Sequence, residues 1–457
     1  MLEPNILVIV SNLIDMSKLL VIKKKISDFN KKIYVSGDKS LSIRWVLLAS
    51  QATGKSKCYN LLMSEDVLSA LNTIKKLGIK VKKNKNYCEI HGNGINGFKY
   101  KKNLVLNAGN SGTLGRLILG LLIKSKQKIK LIGDKSLSKR DFSRVTIPLE
   151  KFGAKFFFKK KNKLPLRILG SQSIKGIKYL ENKGSAQCKS SVMLAALNAS
   201  GKTTIKAKKS RDHTELFFKH LKVPIKIKKT KKYDLINIKR PKKIKPFNYK
   251  IPGDISSSAF FIVLTTLAHN SRLLIKNVNI NDSRLGVIII LKKMGAKITL
   301  KNKRYYKGEK ISDILIKSTS KLKAINCNSE LNGSAIDEFL IIFLAAARAK
   351  GISYFKNIAE LNQKESPRLN WGSKILNMMG VKTKITKDSI KIYGQPNLKI
   401  TKTITIRDYL KDHRVFMMST IAALTCGGQW KIHNRDAVNT SFPLFLKIIK
   451  ELNKKVL

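Results

Sequence analysis

The sequence predicts a mixed α/β fold in two domains. Three observations carry that prediction: a helix–turn–strand junction that recurs down the chain, strands interleaved with apolar helical segments, and a length of 457 residues. Single hydrophobic cores stop growing at about 250–300 residues, so this length calls for a second domain. The 43% hydrophobic content is enough to fill both.

The junctions run from a helix tail through a turn residue into a basic, β-branched strand. Four contain glycine: Leu77-Gly78-Ile79-Lys80-Val81, Phe152-Gly153-Ala154-Lys155-Phe156, Met294-Gly295-Ala296-Lys297-Ile298 and Met379-Gly380-Val381-Lys382. Glycine enters the left-handed conformation that ends a helix at little steric cost, so these four glycines are expected helix C-caps. Weaker copies stand at 220–225 and 449–456. A period of roughly 70 to 85 residues implies one supersecondary unit of helices and strands used six times.

Between the junctions, residues 165–169, 273–278 and 314–317 read as strands, and 258–267 and 338–349 as amphipathic helices. Segment 226–250 is polar and lysine-dense, which predicts a surface strand pair leading into a crossover rather than a core element. Residues 1–10 are apolar, but no basic segment precedes them and Asn12 and Asp15 soon follow. That pattern argues against a signal peptide and against a membrane span. The first recognisable strand is 32–35, which makes Met16 a candidate start.

The formal charge is +64, from 92 Lys plus Arg against 28 Asp plus Glu. A balance of that size ordinarily points to nucleic acid or an anionic membrane. Here the excess is mostly lysine, spread along the whole chain, and no zinc-ligand spacing, ribonucleoprotein aromatic motif or basic zipper accompanies it. No specific nucleic-acid partner is expected, although a positive field concentrates acidic substrates. The five cysteines are scattered, as expected of free thiols in a reducing, cytoplasmic compartment.

Two stretches place small donors and a cation at an expected helix start: Gly37-Asp38-Lys39-Ser40-Leu41-Ser42-Ile43-Arg44 and Asn110-Ser111-Gly112-Thr113-Leu114-Gly115-Arg116. Unpaired backbone N–H groups and the helix dipole make such a start a socket for phosphate or carboxylate. The theme returns in Gly133-Asp134-Lys135-Ser136-Leu137-Ser138-Lys139-Arg140, in Gly184-Ser185-Ala186-Gln187 and in Pro252-Gly253-Asp254-Ile255-Ser256. Charged clusters follow: Arg211-Asp212-His213-Thr214-Glu215, Ile336-Asp337-Glu338, Lys364-Glu365-Ser366-Pro367-Arg368 and Asp412-His413-Arg414.

This ordered set, with Thr440-Ser441-Phe442-Pro443, resembles the EPSP synthase (3-phosphoshikimate 1-carboxyvinyltransferase) family from about residue 32 to the C-terminus. The resemblance implies a two-domain inside-out α/β barrel, each domain built of three βαβαββ units. One domain would combine 1–37 with 254–457 and the other would hold 38–253, with the active site in the cleft between them. It implies enolpyruvyl transfer from phosphoenolpyruvate to the 5-hydroxyl of shikimate 3-phosphate, by a monomer needing no metal or organic cofactor.

By the same resemblance, Asp337 is the base toward the 5-hydroxyl, Glu365 the proton donor to the methylene, and Lys39 a third catalytic group. Shikimate 3-phosphate would be held by Lys39, Ser40, Arg44, Ser185, Ala186, Gln187, Arg211, Asp337 and Lys364. Phosphoenolpyruvate would meet Lys39, Asn110, Gly112, Thr113, Arg140, Gln187, Arg368, His413 and Arg414. Competing readings stand beside these: Asp337 as a plain helix cap, Glu365 as a structural ion-pair partner, His413 as a core histidine or one that supports the site from behind, and Asp254 with Ser256 and Ser257 as hinge and cap. Many relatives carry Asp at Pro367, Arg at Asn362 and Pro at Asp141, and some carry Lys at Thr440. A related enolpyruvyl transferase acting on UDP-N-acetylglucosamine places a cysteine in the loop corresponding to 133–141, where this chain has none. A basic nucleic-acid binder on an enzyme-derived scaffold is the remaining alternative.

Overall fold

Each glycine at an expected junction has the left-handed backbone required of it: φ is +83° at Gly78, +92° at Gly153, +95° at Gly295 and +87° at Gly380. In the glycine-free junction at 220–225, Lys222 takes the same conformation, at φ +56°. The structure is a computed structural model and describes residues 18–84 and 86–453. Met16 and the strand expected after the last helix, Phe445–Leu452, lie outside those residues.

Among the described residues the strands form six sheets, four of them four-stranded and two three-stranded, and five of the six take up the strand of an expected junction. The repeating unit is plainest in the sheet of Val105–Asn107, Ile129–Ile132, Lys155–Lys160 and Lys163–Leu169. Its first two strands are parallel, joined through helix Gly112–Leu121, and its last two form an antiparallel pair. Strands Lys178–Glu181, Lys202–Lys208, Ile225–Lys229 and Tyr233–Lys239 repeat the plan around helix Ala186–Ala196. Short parallel strands joined by a helix and followed by a hairpin constitute the βαβαββ unit.

Three sheets enclose each of two hydrophobic cores. One core draws on 20–35 together with 255–452, the other on 41–251. The two connecting segments run side by side: Gly37 and Gly253 form an antiparallel bridge, Asp38 N donates to the Pro252 carbonyl at 2.8 Å, and Asp254 N donates to the Ser36 carbonyl at 3.0 Å.

The helices expected to be amphipathic are instead buried on all sides. Ile255–Leu267 is buried through Thr266 and Phe339–Ala347 throughout, and a third helix, His413–Cys426, is buried throughout beside them. These three helices pack against one another at the centre of their core, with the sheets outside, so no face meets water. Their hydroxyls are satisfied within the helix: Thr265, Thr266, Ser419 and Thr420 each donate to the carbonyl four residues earlier.

Two further expectations need correction. Strand Asn30–Tyr34 is preceded by Leu20–Ile22, which closes the last sheet by pairing antiparallel with Gln429–Ile432. A three-residue strand carries too short an alternation to be read from sequence. Segment 226–250 does form the expected strand pair, yet its Ile236, Ile238, Ile244, Phe247 and Tyr249 are buried in the core. Lys226 and Lys228, which made it look like surface, alternate with Ile225 and Ile227 on the outer strand of the pair.

Candidate active site

Four of the five expected sockets are helix starts. Helices Lys39–Ser50, Gly112–Leu121, Ala186–Ala196 and Ile255–Leu267 begin after Asp38, Ser111, Ser185 and Asp254, each of whose side chains accepts from a backbone N–H of the first turn. The stretch 133–140 forms only the 3-10 turn Leu137–Lys139, with Asp134 accepting from Leu137 N at 2.7 Å. The helix proper waits until Ser143, because Asp141 turns the chain there by accepting from both the Ser143 amide and hydroxyl.

Around the second socket, Gln187 is the bridge. Its Oε1 accepts from Arg116 Nη1 at 2.8 Å and its Nε2 donates to Thr113 Oγ1 at 3.0 Å. Arg140 Nη2 donates to Asn110 Oδ1 at 3.1 Å and faces Glu365 Oε1 at 3.8 Å. A Cβ added at Gly112 would lie 2.9 Å from a guanidinium nitrogen of both Arg116 and Arg140, so the absence of a side chain there is what gives the two cations room. Asn110, Gly112, Thr113, Arg140 and Gln187 are thus brought together.

A second group gathers on helix Lys39–Ser50. Arg44 Nη1 donates to the Ser40 carbonyl at 3.1 Å, Nε to Thr214 Oγ1 at 2.8 Å and Nη2 to Ser190 Oγ at 3.0 Å. Burial lowers the Arg44 pKa to about 10, which still leaves it a cation at neutral pH. Lys39 Nζ pairs with the buried Asp66 at 3.0 Å, and its backbone N donates to Asp254 Oδ2 at 3.1 Å. Ser185 and Ala186 open the neighbouring helix and are partly exposed.

The carboxylates come from the other core. Asp337 does not cap helix Phe339–Ala347; that position belongs to Glu338, whose side chain makes no cap bond. Its carboxylate lies 2.5 Å from Arg211, 3.5 Å from Lys364 and 3.6 Å from Arg368. Burial pushes its pKa up, but Arg211, Lys364, Arg414 and Arg368 outweigh burial and hold it well below the usual carboxylate range. Glu365 pairs with Arg368 and faces Arg140, and its backbone carbonyl accepts from Ser136 Oγ at 3.4 Å. Burial again opposes ionisation; Arg368, Arg140, His413 and Lys39 together hold this carboxyl well below its usual range.

Arg368 is anchored by Asp412, to which its Nε donates at 2.8 Å. Asp412 also accepts from Ser366 Oγ at 2.9 Å and from Arg414 N at 2.9 Å, so one carboxylate both aims Arg368 and caps the helix that carries Arg414. Arg414 Nη1 stands 3.8 Å from Glu338. His413 is buried, with Nδ1 3.3 Å from Thr440 Oγ1 and Nε2 without a hydrogen-bond partner among the described residues. Burial, aided by the Lys39 charge, lowers its pKa to about 3, so it is neutral near pH 7. Asp254 caps helix Ile255–Leu267, accepting from Ser256 N at 2.7 Å, and Arg284 donates to Asp254 and to Ser256 Oγ at 3.2 and 2.6 Å.

Two of the sequence's departures compensate each other. Pro367 stands where helix Arg368–Met378 needs a cap acceptor and offers none. Asn362 Oδ1 supplies it, accepting from Leu369 N at 3.0 Å and Asn370 N at 3.4 Å.

Sequence reasoning missed Asp66, given no role beside Lys39, and Arg116, quoted within its socket but left unassigned. It also missed Arg284 and Glu309, which lie in no motif. Spacing signals only neighbours on one element, and these residues act on partners far away in the chain. Among the described residues no cluster of His, Cys, Asp and Glu could hold a metal ion, and no helix is long and apolar enough to cross a membrane.

The family model for EPSP synthase (3-phosphoshikimate 1-carboxyvinyltransferase) matches residues 23–449. The chain is 40% identical to the 3-phosphoshikimate 1-carboxyvinyltransferase of Ruthia magnifica subsp. Calyptogena magnifica, over 96% of this chain and 99% of that one. It is 36% identical to that of Bacillus subtilis, over 95% and 99%. Among solved structures it is similar to EPSP synthase from Acinetobacter baumannii, with a TM-score of 0.83 at 35% identity over 95% of this chain and 98% of that one. The enolpyruvyl transferase NikO from Streptomyces tendae shares the fold, with a TM-score of 0.75 at 13% identity over 95% and 97%.

Proposed function

This chain belongs to the EPSP synthase family, the 3-phosphoshikimate 1-carboxyvinyltransferases, and from that premise we propose how its side chains divide the reaction. The enzyme transfers the enolpyruvyl group of phosphoenolpyruvate to the 5-hydroxyl of shikimate 3-phosphate, in aromatic amino-acid biosynthesis. One arrangement carries the assignment: two carboxylates, Asp337 and Glu365, are each ringed by cations drawn from both cores.

In the addition step the 5-hydroxyl oxygen bonds to C2 of phosphoenolpyruvate and gives up its proton, while C3 takes one. In the elimination step C3 returns that proton, the C2–O bond to phosphate breaks, and the enol ether forms. Asp337 accepts the hydroxyl proton and Glu365 serves C3. Lys39 and Arg140 bind the phosphate of phosphoenolpyruvate, beside Asn110, Gly112, Thr113 and Gln187. Arg368 and Arg414 engage its carboxylate, with His413 against it, as guanidinium forks suit a planar anion. Ser40, Arg44, Ser185, Ala186, Gln187, Arg211 and Lys364 hold shikimate 3-phosphate, which Lys39 and Asp337 also touch.

Glu365 is ionised while Arg368 and Arg140 face it. Anionic phosphoenolpyruvate draws those cations to itself, and the buried carboxyl is left with desolvation, which favours its protonated form. The substrate thereby creates the acid that the addition step uses.

The two separate cores support a division into 1–37 with 254–457 and 38–253. We infer a monomer with no specific nucleic-acid partner, acting in the cytoplasm; five free, buried cysteines support a reducing compartment. Phosphate release tests the whole reading. Shikimate 3-phosphate plus phosphoenolpyruvate is expected to give turnover and UDP-N-acetylglucosamine plus phosphoenolpyruvate none; the reverse, or silence with both, overturns it.

A further inference from the structure

Three consecutive residues of the 41–251 half, Arg211, Asp212 and His213, are each bonded to the other half. Arg211 Nη2 meets Asp337 Oδ2 at 2.5 Å. Asp212 Oδ1 accepts from Asn281 Nδ2 at 2.8 Å and from Ser283 Oγ at 3.5 Å. His213 Nδ1 lies 2.7 Å from Glu309 Oε1 and its Nε2 lies 3.5 Å from Arg284 Nη1. His213 and Glu309 are 0% and 1% exposed, so this contact is fully inside the boundary between the cores.

The chemistry of the last contact is costly and specific. Glu309 is a buried carboxylate whose other oxygen accepts from Asn279 at 3.0 Å and Asn281 at 3.1 Å. Burial pushes its pKa up, but the contact with His213 and the hydrogen bonds from Asn279 and Asn281 bring it down to about 2. A buried polar contact of this kind adds little net stability; what it supplies here is a fixed distance across the boundary, 2.7 Å from His213 Nδ1 to Glu309 Oε1. Asp212 makes the same trade: it occupies the cap position of helix His213–His220, yet its carboxylate makes no cap bond and is used across the boundary. Arg211 therefore leaves a backbone pinned at the two positions that follow it.

We propose that His213, held by Glu309, is the positioning residue that aims Arg211 at shikimate 3-phosphate. The inference rests on the role given above to Arg211, and it assigns no contact with substrate to His213. Misplacing a binding group by 1 Å costs as much as about 100-fold, so a rigid mount two residues away has a measurable effect.

The test compares Arg211→Ala, His213→Ala, His213→Gln and the double variant Arg211→Ala/His213→Ala, read by steady-state kinetics and by calorimetric titration with shikimate 3-phosphate. His213→Ala is expected to raise the KM and the dissociation constant for shikimate 3-phosphate about tenfold, leaving the phosphoenolpyruvate KM unchanged and kcat within about threefold. His213→Gln, which keeps a donor toward Glu309, is expected to recover most of the loss. The double variant is expected to be within about twofold of Arg211→Ala, because positioning has no value once the positioned group is gone. Additive losses, or equal increases in both KM values, would overturn the inference. Should His213→Ala fail to fold, Glu309→Gln, which keeps the volume and the asparagine contacts, is expected to show the same selective increase; an unchanged shikimate 3-phosphate affinity there would equally overturn it. Wild type that binds no shikimate 3-phosphate defeats the functional reading itself, whereas wild type that binds with the His213 variants unaffected defeats this inference alone.

Discussion

The centre of one core and the boundary between the cores are built on opposite principles. Helix Phe339–Ala347 contains nine buried residues and no polar side chain. Just before it stand Asp337 and Glu338, and around them Arg211, Arg284, Arg368, Asp412 and Arg414 form a cluster of part-buried and buried charge. The helix contributes stability by removing apolar surface from water, whereas the charges cost about as much in desolvation as they return in attraction. Stability resides in the first region and chemistry in the second.

Substitutions should therefore separate cleanly. The largest expected effect belongs to the boundary: Asp337→Ala and Glu365→Gln each reduce kcat on the order of 100 to 10,000-fold, with an unaltered circular dichroism spectrum. Near-normal turnover in either variant would remove that residue from the mechanism. The counterpart in the core is Phe343→Ala, which packs on Phe339 and Phe355. It is expected to cost about 3–5 kcal/mol in urea unfolding while kcat per folded molecule stays within about twofold. A Phe343→Ala variant that loses activity while still folded would break the comparison.

His413 sharpens it through pH. Its folded pKa of about 3 lies below the unfolded value of 6.5, so between those values the unfolded chain binds a proton that the folded one refuses. Its stabilising contribution is complete above pH 6.5 and is lost as pH falls toward 3, amounting to about 2 kcal/mol between pH 7 and pH 5. In His413→Asn the unfolding midpoint is expected to depend correspondingly less on pH over that interval; an equal dependence would show that the imidazole is not held neutral.

The smallest effect is expected at Gly112. A methyl group there crowds the movable ends of Arg116 and Arg140 and touches Leu137 at an ordinary contact distance, so the fold adjusts at a cost of about 1 kcal/mol. That displacement is expected to raise the phosphoenolpyruvate KM about fivefold while leaving that for shikimate 3-phosphate alone. Equal changes in both would mean that Arg140 does not serve one substrate.

The chain's own pattern determined its six units, because a helix C-cap is a local event: Gly78, Gly153, Gly295 and Gly380 need only their own backbone freedom to end a helix. The capped starts at Lys39, Gly112, Ala186 and Ile255 were legible for the same reason, since each cap residue bonds within its own first turn. That the helices lie inside the sheets was implied by the resemblance of the motifs and not by periodicity, because hydrophobic residues on every face of a segment do not say what covers them. Tertiary structure alone brought Arg211 to Asp337, 126 residues away, and Glu309 to His213, 96 residues away. Such pairs depend on how two connecting segments cross at Gly37 and Gly253, and long-range geometry of that kind leaves no periodicity in the chain for a reader to find.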